Sequence, residues 1–273
     1  MILSRIFHTF IYNNNPLVRR LQILIVTAIM TTNGMIDNVR AADRSFPFNS
    51  GEKLIFELKW MFIPAGEAVM EVLPMENEKG ISSYHFVLTA QSNAFIDQFY
   101  KVRDRIDAYV DLGMTHSLLY KKKQHEGKTQ RDIVVNFNWE KLQALYSNFG
   151  NSQEPIDLFP GSFDPLSAFF YVRLFELNKK LTIERPITDG KKCVIGKVTV
   201  IKRETIKVTA GTFDTYLIEP EVKDIGGVFE KSKGAKIQIW LTADHRHLPV
   251  KIRSQVAVGS FTGELVSATG LKE

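Results

Sequence analysis

From Glu52 onward the sequence is written almost entirely in period two. Leu54, Phe56, Leu58 and Trp60 alternate with Lys53, Ile55, Glu57 and Lys59, the pattern of a strand with one buried face. Pro64-Ala-Gly66 supplies a turn, and a returning strand follows over 67–73, bounded by Pro74 and Gly80. Similar short runs recur at 84–89, 100–110, 116–124, 131–138 and 141–146. After one break they resume at 180–184, 193–202, 204–208, 215–219, 236–242, 250–258 and 261–267. About fourteen candidate strands result, several joined by connections too short for the crossover that parallel pairing needs, so the expected sheet is mainly antiparallel.

One helix interrupts this pattern. Asp164 is an N-cap acceptor with Pro165 at the first helical position, and the helix is expected to span 164–177. Leu166, Ala168, Phe169, Phe170, Tyr171, Val172, Leu174, Phe175 and Leu177 cover nearly its whole circumference. Such a helix must be enclosed, and the enclosure available in an antiparallel protein is a curved sheet. The expected fold is therefore all-β, a curved barrel or half-barrel with one enclosed apolar helix. A helix sealing one end of a two-sheet sandwich is the plainer alternative.

The first forty residues differ. Arg19 and Arg20 precede an uncharged apolar run over 21–30, too short to cross a bilayer but suited to a secretory leader. Val39-Arg40-Ala41 gives modest residues before a cleavage point, so 1–41 is expected to be a signal peptide and 42–273 a single exported β-rich domain in the periplasm. An uncleaved anchor is the alternative. The full chain carries 35 Lys+Arg and 30 Asp+Glu, a formal +5. Loss of the leader takes away four arginines and one aspartate and leaves +2, which removes the case for nucleic acid. Cys193 is the one cysteine, so no internal disulfide is available, and its strand-like setting reads as a small buried hydrophobe. A domain of this length buries roughly 70% of its unfolded surface without staples.

The residues that carry chemistry are few. Asp244-His-Arg-His247 puts two imidazoles in a turn, but no further ligand sits at diagnostic spacing, so they read as solvated turn residues and no metal or other cofactor is expected. The segment 121–128 is the most basic of the exported part; Lys121, Lys122 and Lys123 are the expected place of a peripheral membrane contact. Asp104, flanked by Val102 and Ile106 on its face, is expected to be buried and paired with Arg173 from the helix. No nucleophile elbow, phosphate loop or catalytic dyad stands out, and no enzyme is expected, though distant carboxylates leave a glycan or lipid hydrolase as a lower reading.

Several stretches together resemble a family of bacterial exported proteins, domain-of-unknown-function family 3108. They are Gly51-Glu-Lys-Leu-Ile-Phe-Glu-Leu-Lys-Trp60 with Pro64-Ala-Gly66, Asp164-Pro-Leu-Ser-Ala-Phe-Phe-Tyr-Val-Arg173, the segment 208–213 with Gly211, and Ile239-Trp-Leu-Thr-Ala-Asp244 ending in Leu248-Pro-Val250. The resemblance implies an exported, β-rich envelope protein with no established reaction and no catalytic residues to carry over. A curved sheet holding an apolar helix is similar to the half-barrels of periplasmic lipoprotein carriers. The expected function is non-enzymatic binding of a lipid or other hydrophobic envelope component, with Phe56, Trp60, Phe86, Phe169, Phe170 and Trp240 lining the cavity. The alternative is an envelope assembly factor that works through a protein partner.

Overall fold

The structure is a computed structural model that describes residues 46–78, 80–178, 180–221, 235–256 and 259–273. The expected leader lies outside the described residues. From the N-terminal side the alternating segments form β1 (Lys53–Trp60), β2 (Ile63–Glu78), β3 (Ile81–Ser92), β4 (Arg103–Asp111), β5 (Ser117–Glu126), β6 (Thr129–Asn138) and β7 (Gln143–Asn148). A four-residue helix, α1 (Ala94–Asp97), lies between β3 and β4. The short β8 (Asn151–Ser152) and β9 (Ile156–Asp157) precede helix α2 (Pro165–Val172). The second half is β10 (Thr182–Thr188), β11 (Cys193–Val208), β12 (Gly211–Pro220), β13 (Lys236–Thr242), β14 (Pro249–Val256) and β15 (Gly259–Thr269).

All fifteen strands belong to one antiparallel sheet, in the order β10-β11-β12-β13-β14-β15-β1-β2-β3-β4-β5-β6-β7-β8, with β9 also on β7. The first strand pairs with the last, Lys53 opposite Thr269 and Trp60 opposite Phe261. The ladder does not close between β8 and β10. The segment before α2 stands in the gap: Leu158 N donates to Leu142 O (2.7 Å), Ser117 N to Ser162 O (3.1 Å), Phe163 N to Pro186 O (2.9 Å) and Thr188 N to Phe163 O (2.8 Å). The fold is thus all-β and barrel-like, as the alternation predicts, with its seam bridged by a loop. Two proline positions show why β2 tolerates its length: Pro64 lies near its start, and Pro74 at a register shift between Leu73 and Glu76, where a missing N–H leaves no ladder bond unmade.

Helix α2 is shorter than expected. It ends at Arg173, whose carbonyl accepts from His247 Nδ1 (2.9 Å) where a longer helix would use Leu177 N. Its start follows expectation. Asp164 Oδ1 accepts from Leu166 N and Ser167 N (2.9 Å each), and Oδ2 from the hydroxyls of Ser117 and Ser167 (2.6 Å each). The runs 193–202 and 204–208 are one strand, β11, with an irregularity between Val200 and Lys202.

Ladder register sorts the side chains. Val72, Phe86, Ala108, Tyr120, Val135 and Tyr146 lie opposite one another across six strands and are all buried in the main core. A second cluster joins Ile183, Val198, Val200, Ile218, Ile239 and Leu241 to Leu177, with Phe169, Tyr171, Val172 and Phe175 against it. The α2 segment therefore bridges the two halves of the sheet, which is what an all-round apolar helix is placed to do.

Candidate functional site: the apolar interior and its polar lip

At the α2 end the interior is filled. Phe86 and Phe170 stack at 3.8 Å between centroids, and Phe48 meets both edge-on at 5.4 Å. Arg173 Nη1 and Nη2 bond Glu52 Oε1 and Oε2 at 2.5 and 3.0 Å, both residues being at most 1% exposed. The remaining donors reach Arg246 O (3.1 and 3.2 Å) and Pro47 O (3.4 Å), and the guanidinium lies 5.4 Å from the Phe48 and Phe170 ring centres. A buried charge is tolerated when it is paired and its donors are used, and this one is.

The expected partner of Arg173 was Asp104, and that pairing is overturned. Glu52 immediately precedes β1 and delivers its carboxylate to the end of α2, whereas Asp104 accepts from His125 N (2.9 Å) beside the β5–β6 turn. Nothing in the sequence distinguishes Glu52 from other acids beside strands. His247 is corrected as well: it is buried and holds the end of α2, while His245 is exposed. Because the Arg173 carbonyl can only accept, His247 Nδ1 carries the proton.

Away from α2 the same inward face changes character. Leu54 and Met70 are buried, and their partners along the row, Leu88 and Ile106, are half-buried, followed by Lys122. One row further, Phe56 and Ala68 lead through half-buried Ala90 to Asp104, with Gln124 and Arg131 beyond. The interior wall thus passes from sealed aromatic packing, through part-exposed aliphatic groups, to a polar lip on β4–β6. Burial pushes the Asp104 carboxyl up; Glu126 adds to that, and Lys122 opposes it. Burial also pushes up the Tyr100 hydroxyl, aided by Glu126 and Asp104.

The six expected lining residues divide. Phe56, Phe86 and Phe170 are core, and Phe169 is half-buried between the two clusters. Trp60 stands at the open rim, 39% exposed. Trp240 is also buried, 8% exposed, and belongs to the main core cluster with Leu217. Register aligns it with Leu217 and Lys251, while its neighbour Ile239 aligns with Ile218 and Ile252 in the α2 cluster. Trp240 Nε1 donates to Glu204 Oε1 (2.9 Å), and Lys251 Nζ lies 5.8 Å above the ring. Lys121, Lys122 and Lys123 likewise do not form one face. Lys122 turns inward, whereas Lys121 lies outside, 5.3 Å from the Tyr109 ring centre. Cys193 is half-buried with Sγ 3.3 Å from Ser162 Oγ. Among the described residues no group of three His, Cys, Asp or Glu is placed to hold a metal.

These features define an all-β, barrel-like fold with one end filled by the α2 segment. The model of the family described as "Protein of unknown function (DUF3108)" matches residues 55–266, and the chain belongs to that family. Among solved structures, a beta-barrel-like protein of domain of unknown function DUF1849 from Brucella abortus is similar at TM-score 0.54 and 12% identity, over 80% of this chain and 96% of that one. A candidate lipoprotein from Parabacteroides distasonis aligns at TM-score 0.29 and 12% identity over 82% and 97% of the two chains. An exported protein with YmcC-like fold from Bacteroides fragilis gives 0.29 and 10% over 82% and 98%. No curated protein matches the chain.

Proposed function

We propose that this is a periplasmic envelope protein that binds an amphipathic lipid without chemical conversion, the acyl part against the aliphatic wall and the headgroup at the polar lip. The observation that carries the reading is the gradient along one inward face, from Phe86 through Leu88 and Ile106 to Asp104, Lys122 and Arg131. Apolar walls with a few convergent polar groups suit a small amphiphile. Its route there begins with export by the leader and cleavage near Ala41, which mass spectrometry of the recovered protein would locate.

The binding test is native mass spectrometry after gentle purification, together with uptake of a fluorescent fatty acid. Co-purified lipid and saturable uptake, both lost in Leu88→Arg with circular dichroism unchanged, are the expected results. A protein that carries no lipid and takes up no probe is not a carrier.

A further inference from the structure

One edge of the sheet ends in turns that break the usual rule for turns. The β1–β2, β3–β4 and β5–β6 connections and the start of β15 share that edge because the strands run alternately up and down. Turn residues are normally polar. Here the β1–β2 turn is Met61-Phe62, and the β3–β4 connection carries Phe95, Phe99 and Tyr100.

Contacts join these turns into one row. Met61 N donates to Ser260 O (2.7 Å) and Phe261 pairs with Trp60, tying the start of β15 to the β1–β2 turn. Asn93 N and Nδ2 donate to Ala65 O (2.9 Å) and Pro64 O (2.8 Å), tying α1 to the start of β2. Phe95 and Phe99 meet edge-on at 5.6 Å, and Gly127 N donates to Lys101 O (2.8 Å), bringing the β5–β6 turn beneath Tyr100. Met61 holds φ +56, so the tip keeps its shape at some backbone strain.

The row combines two kinds of ring. Phe62 and Phe99, wholly apolar, are 81% and 74% exposed; Trp60 and Tyr100, which carry a polar atom, are 39% and 44% exposed. Lys101 and Lys128 flank them, both exposed. Asp97, the acid within the α1 connection, is neutralised by Arg103 at 2.6 Å. Highly exposed apolar rings, amphipathic rings and flanking cations are the three chemistries that an anionic bilayer accepts, in its acyl chains, at its headgroup boundary and at its phosphates. A groove in a protein partner would call for a continuous ridge; these groups stand on separate chain reversals.

We infer that this edge docks on the surface of an anionic phospholipid bilayer, with Phe62 and Phe99 inserted and Lys101 and Lys128 at the phosphates. The docking does not depend on the interior holding a guest. It also differs from a contact through the 121–123 lysines, which point to opposite faces.

The protein as recovered from its expressing cells would be floated with vesicles of phosphatidylglycerol and phosphatidylethanolamine, and separately with phosphatidylcholine alone. Binding to the anionic vesicles is expected, weaker on the neutral ones, and reduced about tenfold or more in Phe62→Ser/Phe99→Ser, since two buried phenyl groups carry most of the transfer energy. Leu112→Ser, on the opposite edge, keeps full binding. Brominated lipid should quench tryptophan emission in the wild type and not in Trp60→Phe, which reads this edge directly whatever the N-terminus does. Equal binding by the double variant, or absence of Trp60-dependent quenching, overturns the inference. So does self-association abolished by the double variant without vesicle binding, which would assign the row to a second copy of the chain.

Discussion

Arg173 and Glu52 face each other across the end of helix α2 with two short hydrogen bonds and almost no contact with water. The pair fixes where α2 stops and ties it to the chain just before β1. Truncating one partner leaves the other charge buried and uncompensated. Arg173→Met or Glu52→Leu should each lower stability by about 3 to 5 kcal/mol, and the double variant should recover much of the loss. Urea unfolding of the three variants checks this. Additive losses would mean that the two charges do not act as a pair.

On the outer face, Asp107 accepts from His85 Nε2 (2.9 Å) and from Arg105 Nη2 (2.6 Å) and Nε (2.8 Å). Burial alone would raise this carboxyl, but the His85 and Arg105 hydrogen bonds and their charges outweigh it and hold the group at about 2. The folded state therefore prefers the ionised form more than the unfolded chain does. The stabilisation is in place above about pH 4 and is lost as the pH falls toward 2, amounting to about 2 kcal/mol. Chemical unfolding between pH 5 and 2 should show that slope in the wild type and a shallower one in Asp107→Asn. Identical slopes would contradict it.

The β10–β11 turn reaches the inward face of β6 and β7. A side chain at Gly190, where φ is +87, would place its first carbon 2.6 Å from Val135 Cγ2 and 3.2 Å from Tyr146 Cβ. Gly190→Ala then suffers both from backbone strain and from a core that is already full, a cost of about 2 kcal/mol or more. A clearly larger fall in thermal midpoint in Gly190→Ala than in Gly150→Ala is the expected pair of results, because Gly150 at φ +77 carries the same backbone strain but its first carbon would meet nothing within 4 Å.

The fold was legible because strand alternation and the Asp164-Pro165 start are local signals, written in neighbouring residues. Antiparallel pairing, the position of α2 and its enclosure all followed from them. What was hidden depends on partners far apart in the chain. Glu52 meets Arg173 from 121 residues away in the chain, and His247 ends α2 only because β13 and β14 bring their turn there. Trp240 looked like Trp60 because both sit in alternating runs, yet alternation does not say how deeply each is covered: Trp240 is 8% exposed and Trp60 39%. The apolar turn at Met61-Phe62 is written in adjacent residues, but alternation marks buried faces and carries no signal for apolar groups that stay in water.

The pairing of β1 with β15 also orders events in time. A strand at the beginning of the domain waits, with one edge unsatisfied, until β15 has left the ribosome, so the sheet cannot be completed before then. A chain built like this leaves one edge of β1 open until β15 has been made. The reverse also holds: clipping the final strand would strip β1 of its neighbour, and a C-terminal truncation would act as a lesion at the domain's start.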